Sequence, residues 1–360
     1  MWLNWFVANA LAMVSQDASR NSKAQNPNPD LVIRQNSFNR FEFNAYHDLE
    51  DIYGLLLSLD RDFPDIAKVY DLGNTTMHIP TLAIKIGLKT NKPKPVFWIQ
   101  AGLHAREWIS QATALCFIKT LINGYKNNDS YIGKLVNKLD FYILPVANPD
   151  GYNYTRKERR FHRKNLNFTQ NTDCDVDRNL RPGVDLNRNF DFKWDYPGGA
   201  SEEYCKYNFR GSAPFSEKEA ANIRDFLKPM SGKIPAFIDL HCYSQILAYP
   251  YSYKENAYPK DIADLRELAS NMSDRVRAVN GEYYHTGSGG DLMYPMTGTS
   301  TDWARESLGT KYSFMMELRP NRRNGTYGSF DIPATEIDPT CREIWAGLGA
   351  IFDRLVKKSR

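Results

Sequence analysis

Four points along the chain set an imidazole or a carboxylate where an apolar run stops. His104 and Glu107 follow PVFWIQAGL, Asn148 and Asp150 follow FYILPVA, His241 follows AFIDL, and Glu317 follows YSFMM. A lone histidine after a strand is most often a hydrogen-bonded structural residue. His104 and Glu107 could also simply share a surface turn. Several such positions together point instead to one site, because ligands of open α/β sheets gather beyond the carboxyl ends of strands. Two histidines and a carboxylate suit a catalytic zinc ion: three protein ligands leave a fourth position for water, whose pKa falls towards about 7. A second carboxylate from another strand end could then accept the water's proton. No cysteine pair competes for such an ion. Spacing alone does not say which carboxylate is ligand and which is base.

These residues need elements to carry them. IPTLAIKIGL and KPVFWIQAG read as strands, the second apolar enough to be covered on both faces. LDFYILPVANPDG reads as a strand entering a turn; IPAFIDLHCYS, ILAYPYSY and KYSFMMELR are further strands. Helical spacing marks AYHDLEDIYGLLLSLDRD with Asn44 as cap, and WISQATALCFIKTLINGY ending near Gly124. SEKEAANIRDFLKPM carries a capping-box pattern, Ser216 with Glu219. YPKDIADLRELASNMSDRVRAVNG is closed by Gly281, and IDPTCREIWAGLGAIFDRLVKK starts from Asp338. Between Arg156 and Gly211 the chain is long, polar and aperiodic, which in a compact domain usually marks a functional loop. There is no internal repeat. The alternation predicts an α/β/α sandwich with a mixed, mostly parallel central sheet covered by helices on both faces.

A chain of 360 residues, 42% hydrophobic and 24% charged, is a globular protein of one large or two ordinary domains. A net charge of +4 is too small to argue for nucleic acid, and the basic run RKERRFHRK is of a type that usually lies on a solvated loop. The opening MWLNWFVANALAMV is too short to span a bilayer and reads as a secretory signal with Ala10 and Ala12 near a cleavage point, although no Lys or Arg precedes it. With the polar stretch that follows, it makes residues 1–38 a leader and residues 39–360 the folded part. No later segment looks transmembrane. Cys174 and Cys205 lie in loop sequence and are the expected disulfide; Cys116 and Cys341 fall in helical patterns, and Cys116 is expected to be simply packed. Asn-x-Ser/Thr sites at Asn74, Asn128, Asn153, Asn167, Asn271 and Asn324 support secretion mildly.

HAREW, NPDGY, DLNRNF, DLHCYSQ, YPMTGTSTDW and MMELR occur in the order in which related segments occur in the zinc metallocarboxypeptidases of the pancreatic A/B type, which the chain resembles from about Phe41 onward. The resemblance implies a secreted, monomeric exopeptidase with one zinc ion. It makes His104, Glu107 and His241 the ligands and Glu317 the general base. Arg163 resembles the arginine that polarises the scissile carbonyl, Asn187 and Arg188 the pair that grips the substrate's free carboxylate, and Tyr294 the mobile tyrosine that closes over the bound residue. Arg106 and Arg160 match accessory substrate contacts, and Thr301 matches the floor of the side-chain pocket. An uncharged floor, with Met293, Met296, Met315, Ala248, Ser252 and Gly289 at other pocket positions, implies preference for aliphatic or aromatic C-terminal residues. Peptides and proteins with a free C-terminus are the implied partners. A catalytically silent peptide-binding relative is the alternative, but such a relative would usually have lost a ligand or the base. An endopeptidase is disfavoured because no helical His-Glu-x-x-His is present. Four departures stand out, the first being the insertion DVDRNLRPGV, which enlarges the loop after Cys174. The leader is too short for a folded inhibitory prodomain; Cys242 stands beside His241 where related enzymes have serine; and Thr297 and Thr299 bulk up a segment usually rich in glycine and alanine.

Overall fold

The computed structural model describes residues 33–34, 37–168, 174, 182–320 and 330–358. The leader 1–38 therefore falls almost wholly outside the described residues, as do most of the DVDRNLRPGV segment and Asn324. Among the described residues no helix is long and apolar enough to cross a membrane.

Eight strands form one mixed sheet: β1 (Ala67–Asn74), β2 (Pro80–Ile86), β3 (Val96–Ala101), β4 (Asp140–Leu144), β5 (Ala236–Cys242), β6 (Ile246–Tyr249), β7 (His285–Ser288) and β8 (Tyr312–Leu318). Their order is β1-β2-β4-β3-β5-β8-β6-β7. The centre, β4-β3-β5-β8, is parallel, while β1 and β2 on one side and the β6–β8 pairing on the other are antiparallel. This is the mixed α/β sheet expected. The helices are α1 (Leu49–Asp62), α2 (Trp108–Lys126), α3 (Ser130–Lys138), α4 (Pro149–Lys157), α5 (Lys218–Leu227), α6 (Ile262–Asn280), the single turn α7 (Gly289–Leu292), α8 (Ser300–Ser307) and α9 (Ile337–Lys358).

Strand β3 shows why the centre is continuous apolar sequence. All six residues are buried. Successive side chains point to opposite faces, so Phe97 meets Phe352 of α9 while Trp98 meets Phe226 of α5. Phe97, Trp98 and Phe352 are fully buried and Phe226 partly so; full burial of a phenylalanine is worth roughly 1.5–3 kcal/mol. One core lies under α5 and α8, built on Trp98, Phe237, Phe190, Ile223 and Trp303.

Several local expectations are corrected. Asn44 does not cap α1; the helix begins five residues later, after Asp48. Ser216 and Glu219 form no capping box: Glu217 precedes α5, and Ser216 Oγ instead donates to the Glu217 carboxylate. Asp338 lies inside the first turn of α9 rather than before it. Strands β1 and β7 and helices α3, α4, α7 and α8 were not expected. Cys174 and Cys205 are bonded, as expected, but Cys116 is also bonded, to Cys341, pinning α2 to α9. Neither end of that bond had been read as paired, because nothing in a 225-residue separation announces it.

Candidate metal centre and substrate cavity

Strand β3 ends at Ala101, and the turn after it carries His104; Glu107 is the residue that precedes α2. His241 sits near the end of β5, and the β5–β8 register sets it directly beside Glu317. Three strand ends thus deliver two imidazoles and two carboxylates to one place. His104, Glu107 and His241 are all buried, and one donor atom from each lies within 4.8 Å of the others. The Nδ1 atoms of the two histidines are 3.0 Å apart, and Glu107 reaches His104 Nδ1 at 2.9 Å and His241 Nδ1 at 3.0 Å. Each histidine turns its other nitrogen to a buried carboxylate: His104 Nε2 to Asp185 at 3.1 Å, His241 Nε2 to Asp239 at 2.9 Å. That is what a metal ligand requires, with Nδ1 facing the ion and Nε2–H held from behind. The donor set therefore fits zinc, and among the described residues no other such cluster occurs. Burial would raise the Glu107 pKa, but the facing His104 and His241 outweigh it and hold the carboxyl well below its usual range.

Asp185 organises much of the rest. One oxygen faces His104 Nε2 and accepts the Asn187 backbone N–H at 3.0 Å; the other accepts from Arg163 Nε at 3.1 Å and Nη2 at 2.9 Å. Burial opposes ionisation of Asp185, yet Arg163, Arg188 and His104 bring its pKa well down. Arg163 also approaches Glu107 at 3.7 Å. Asn187 and Arg188 lie in a single 3-10 turn, Leu186–Arg188, opened by Asp185. Gly298 packs on that turn with φ +64°, and a Cβ there would sit 2.3 Å from the Arg188 carbonyl oxygen. Only glycine allows that approach.

Of these residues, His104, Glu107, Arg163, Asn187, Arg188 and Glu317 line one cavity of about 280 Å³. Arg188 is fully buried, forms no ion pair among the described residues, and leaves Nε without a protein partner; Nη2 is 3.4 Å from the Tyr294 hydroxyl. Tyr294 stands partly exposed at the cavity, and Arg106 lines it under Phe330, whose ring centroid is 4.0 Å from the guanidinium carbon. Burial and the neighbouring Arg163 bring the Arg106 pKa down to about 10. On the apolar side Met293, Met296 and Met315 form the wall, continuous with Ile246, Ala248 and Leu292.

Two expected substrate contacts stand elsewhere. Arg160 donates to the carbonyls of Arg106 and Phe330 and stacks on Trp108, so it holds cavity residues without lining the cavity. Thr301 is buried in α8, where its carbonyl accepts from Ser313, and it also stays off the cavity wall. Asn148 and Asp150 are structural: Asn148 caps α4, and Asp150 accepts from Thr75 and the Met77 backbone. Cys242 is a free, buried thiol on the cavity wall, outside the donor cluster, and its backbone N–H donates to Glu107 at 3.1 Å. Burial and the Glu107 charge push that thiol's pKa up. Sequence reasoning missed Asp185, Asp239, Tyr207, Tyr243 and Phe330. Asp239 carried a usable signal, since two residues before a ligand on a strand is the same face.

Comparison with known proteins agrees with this geometry. The sequence profile described as zinc carboxypeptidase matches residues 52–347. Mouse (Mus musculus) carboxypeptidase A4 is 38% identical over 88% of this chain and 71% of the relative, and human (Homo sapiens) carboxypeptidase O is 33% identical over 91% and 84%. Bovine thrombin-activatable fibrinolysis inhibitor, solved in complex with tick carboxypeptidase inhibitor, superposes with a TM-score of 0.78 at 34% identity, covering 88% of this chain and 99% of that one. Similarity of this extent, over the same residues that build the cavity, settles membership: the chain belongs to the zinc carboxypeptidase family and is a zinc-dependent carboxypeptidase.

Proposed function

We propose that residues 39–360 form a catalytic domain that removes one uncharged aliphatic or aromatic residue at a time from the free C-terminus of peptides and proteins, using a single zinc ion held by His104, Glu107 and His241. The observation that carries this reading is Arg188: a buried guanidinium that forms no ion pair among the described residues and leaves Nε without a hydrogen bond there, opening onto the same cavity as the donor cluster. A substrate carboxylate supplies the missing charge, and arginine's planar fork accepts it bidentately. Gripping the terminal carboxylate fixes which amide lies over the ligands, so cleavage is confined to the last bond.

When bound, zinc supplies a Lewis acid and a water of lowered pKa. Glu317, beside His241, accepts a proton from the attacking water and returns it to the departing nitrogen. Arg163 donates to the oxygen that gains charge in the transition state, in a site screened from bulk water. Asn187 and Arg188 hold the carboxylate, and Tyr294 closes over it. Arg106 and Arg160 support the preceding residue, Arg106 directly and Arg160 by positioning it. The methionine wall favours uncharged side chains; Thr301, uncharged and buried off the cavity wall, adds no cation-binding group.

Two disulfides favour an oxidising compartment, so the chain is assigned to the secreted, extracellular class; the monomeric state is carried by the family resemblance alone. A protein inhibitor is a second class of partner, since the bovine relative is solved in complex with tick carboxypeptidase inhibitor. The test is release of the C-terminal residue from blocked dipeptides ending in Phe, Leu, Lys or Glu, with and without a zinc chelator. Phe or Leu should leave fastest, and chelation should stop release. Glu317→Gln should keep zinc and lose about 10²–10⁴-fold in kcat. Faster release of Lys refutes the pocket reading, and full turnover by the Gln variant refutes the base.

A further inference from the structure

Asp239 has a place in the site that the reaction's direct participants do not explain. It is wholly buried and stands two residues before His241 on β5, on the same face of the strand. Its Oδ2 lies 2.9 Å from His241 Nε2 and accepts the Ser300 hydroxyl at 2.5 Å. Oδ1 has no hydrogen-bond partner among the described residues. A bare buried carboxylate oxygen is costly unless its charge has a use.

We propose that Asp239 is the positioning residue for the metal ligand His241, and that by fixing the imidazole tautomer it also frees Asn187 for the substrate carboxylate. This rests on the zinc reading above. The carboxylate holds a proton on Nε2, which leaves the Nδ1 lone pair for the ion and makes it a stronger donor. Asn187 completes the argument. Its Oδ1 accepts the Ser300 backbone N–H at 2.9 Å, which fixes the amide with its NH₂ towards His241, 3.2 Å from Nε2. A protonated Nε2 cannot accept from that NH₂. Asp239 and Asn187 therefore compete for one nitrogen, and the carboxylate wins by charge. The Asn187 hydrogens are left for an acceptor in the cavity that Asn187 lines. Ser300 serves both partners, its hydroxyl on Asp239 and its backbone on Asn187. The other ligand has a carboxylate too, but Asp185 is divided among His104, Arg163 and the Asn187 backbone. Among the described residues, Asp239 is committed to His241 and one hydroxyl.

The experiment measures zinc dissociation constants by competition with a chromophoric chelator, for the wild type, Asp239→Asn and Asp239→Ala, with circular dichroism to confirm folding. No turnover is needed. Loss of such an orienting partner weakens metal binding about 10–100-fold. Asp239→Ala should fall near the upper end of that range. Asp239→Asn, whose amide oxygen still accepts from Nε2–H without the charge, should fall near the lower end. At saturating zinc, KM for a peptide acid should rise in Asp239→Ala and be partly restored in Asp239→Asn. Wild-type zinc affinity in a folded Asp239→Ala variant overturns the inference; if that variant does not fold, wild-type affinity in Asp239→Asn does so. A wild-type chain that binds no zinc sinks the functional reading itself. A zinc-binding, peptide-trimming wild type with indifferent Asp239 variants sinks only this inference.

Discussion

Replacing Cys116 and Cys341 together by alanine removes the bond between α2 and α9. The bond closes a loop spanning 225 residues, against 31 for Cys174–Cys205. In the chain-entropy account a cross-link stabilises by restricting the unfolded chain, as the logarithm of loop length. For the longer loop this gives an upper bound of about 5.4 kcal/mol, and for the shorter about 3.7 kcal/mol. Measured values more often fall at roughly 2–4 kcal/mol. A loss of about 3 kcal/mol in a chain this size lowers the melting temperature by about 4 °C. Alanine is the right replacement, since both positions are buried and a serine hydroxyl there would add its own cost. Urea unfolding of the Cys116→Ala/Cys341→Ala chain should therefore show a lower midpoint than the wild type, and lower than Cys174→Ala/Cys205→Ala by the loop-length difference. Thiol titration of the denatured, unreduced wild type should find one reactive group, Cys242. More than one titrating thiol refutes the pairing. One thiol with an unchanged urea midpoint in the variant refutes the energetic argument.

Arg188→Gln should lose about 3 kcal/mol of transition-state binding, roughly 10²-fold in kcat/KM, on peptides with a free C-terminus and far less on their C-terminal amides; equal losses on both would show that Arg188 does not meet the carboxylate. Glu219 is fully buried, and burial with the nearby Asp150 pushes its pKa up to about 8, against about 4.3 in the unfolded chain. Between those values the folded chain keeps a proton that the unfolded chain releases, so stability is full below about pH 4 and is lost as pH rises through about 8, by at most ~1.4 kcal/mol per pH unit. Glu219→Gln removes that slope, so its melting temperature should gain on the wild type's from about pH 5 to about pH 8, and a constant gap would contradict the assignment.

What the sequence displayed and what it hid divide along a physical line. β3 and β8 were legible because strands buried on both faces read as unbroken apolar runs. β1 was missed because AKVYDLGN is an edge strand whose half-buried residues carry no clean alternation. α4 looked like a turn because its start, PDGYN, is built of turn residues, and its helix depends on Asn148 as cap and Pro149 in the first turn. The ligands and base were legible as residue types at strand ends, with resemblance deciding their roles. Asp185 escaped because its importance lies in hydrogen bonds to His104 and Arg163, distant in sequence. Thr301 was placed on the pocket floor by position alone, whereas the packed methionines Met293, Met296 and Met315 form the wall.

The relative placement of ligand and base follows from sheet register. His241 pairs with Glu317 across two parallel strands, so both side chains leave the same face. A one-residue slip would turn one of them away. Something must hold the end of β8, where the pairing stops. Arg319, two residues past Glu317, makes hydrogen bonds to both Glu343 oxygens at 2.9 and 2.6 Å, and a further one to Glu336. Glu343 is on α9, two residues from Cys341, and Cys341 is bonded to α2, the helix that Glu107 precedes. One outer helix thus anchors the strand that carries the base and the helix that follows a ligand. The placement of ligand and base therefore leans on a helix that contributes no residue to the cavity wall.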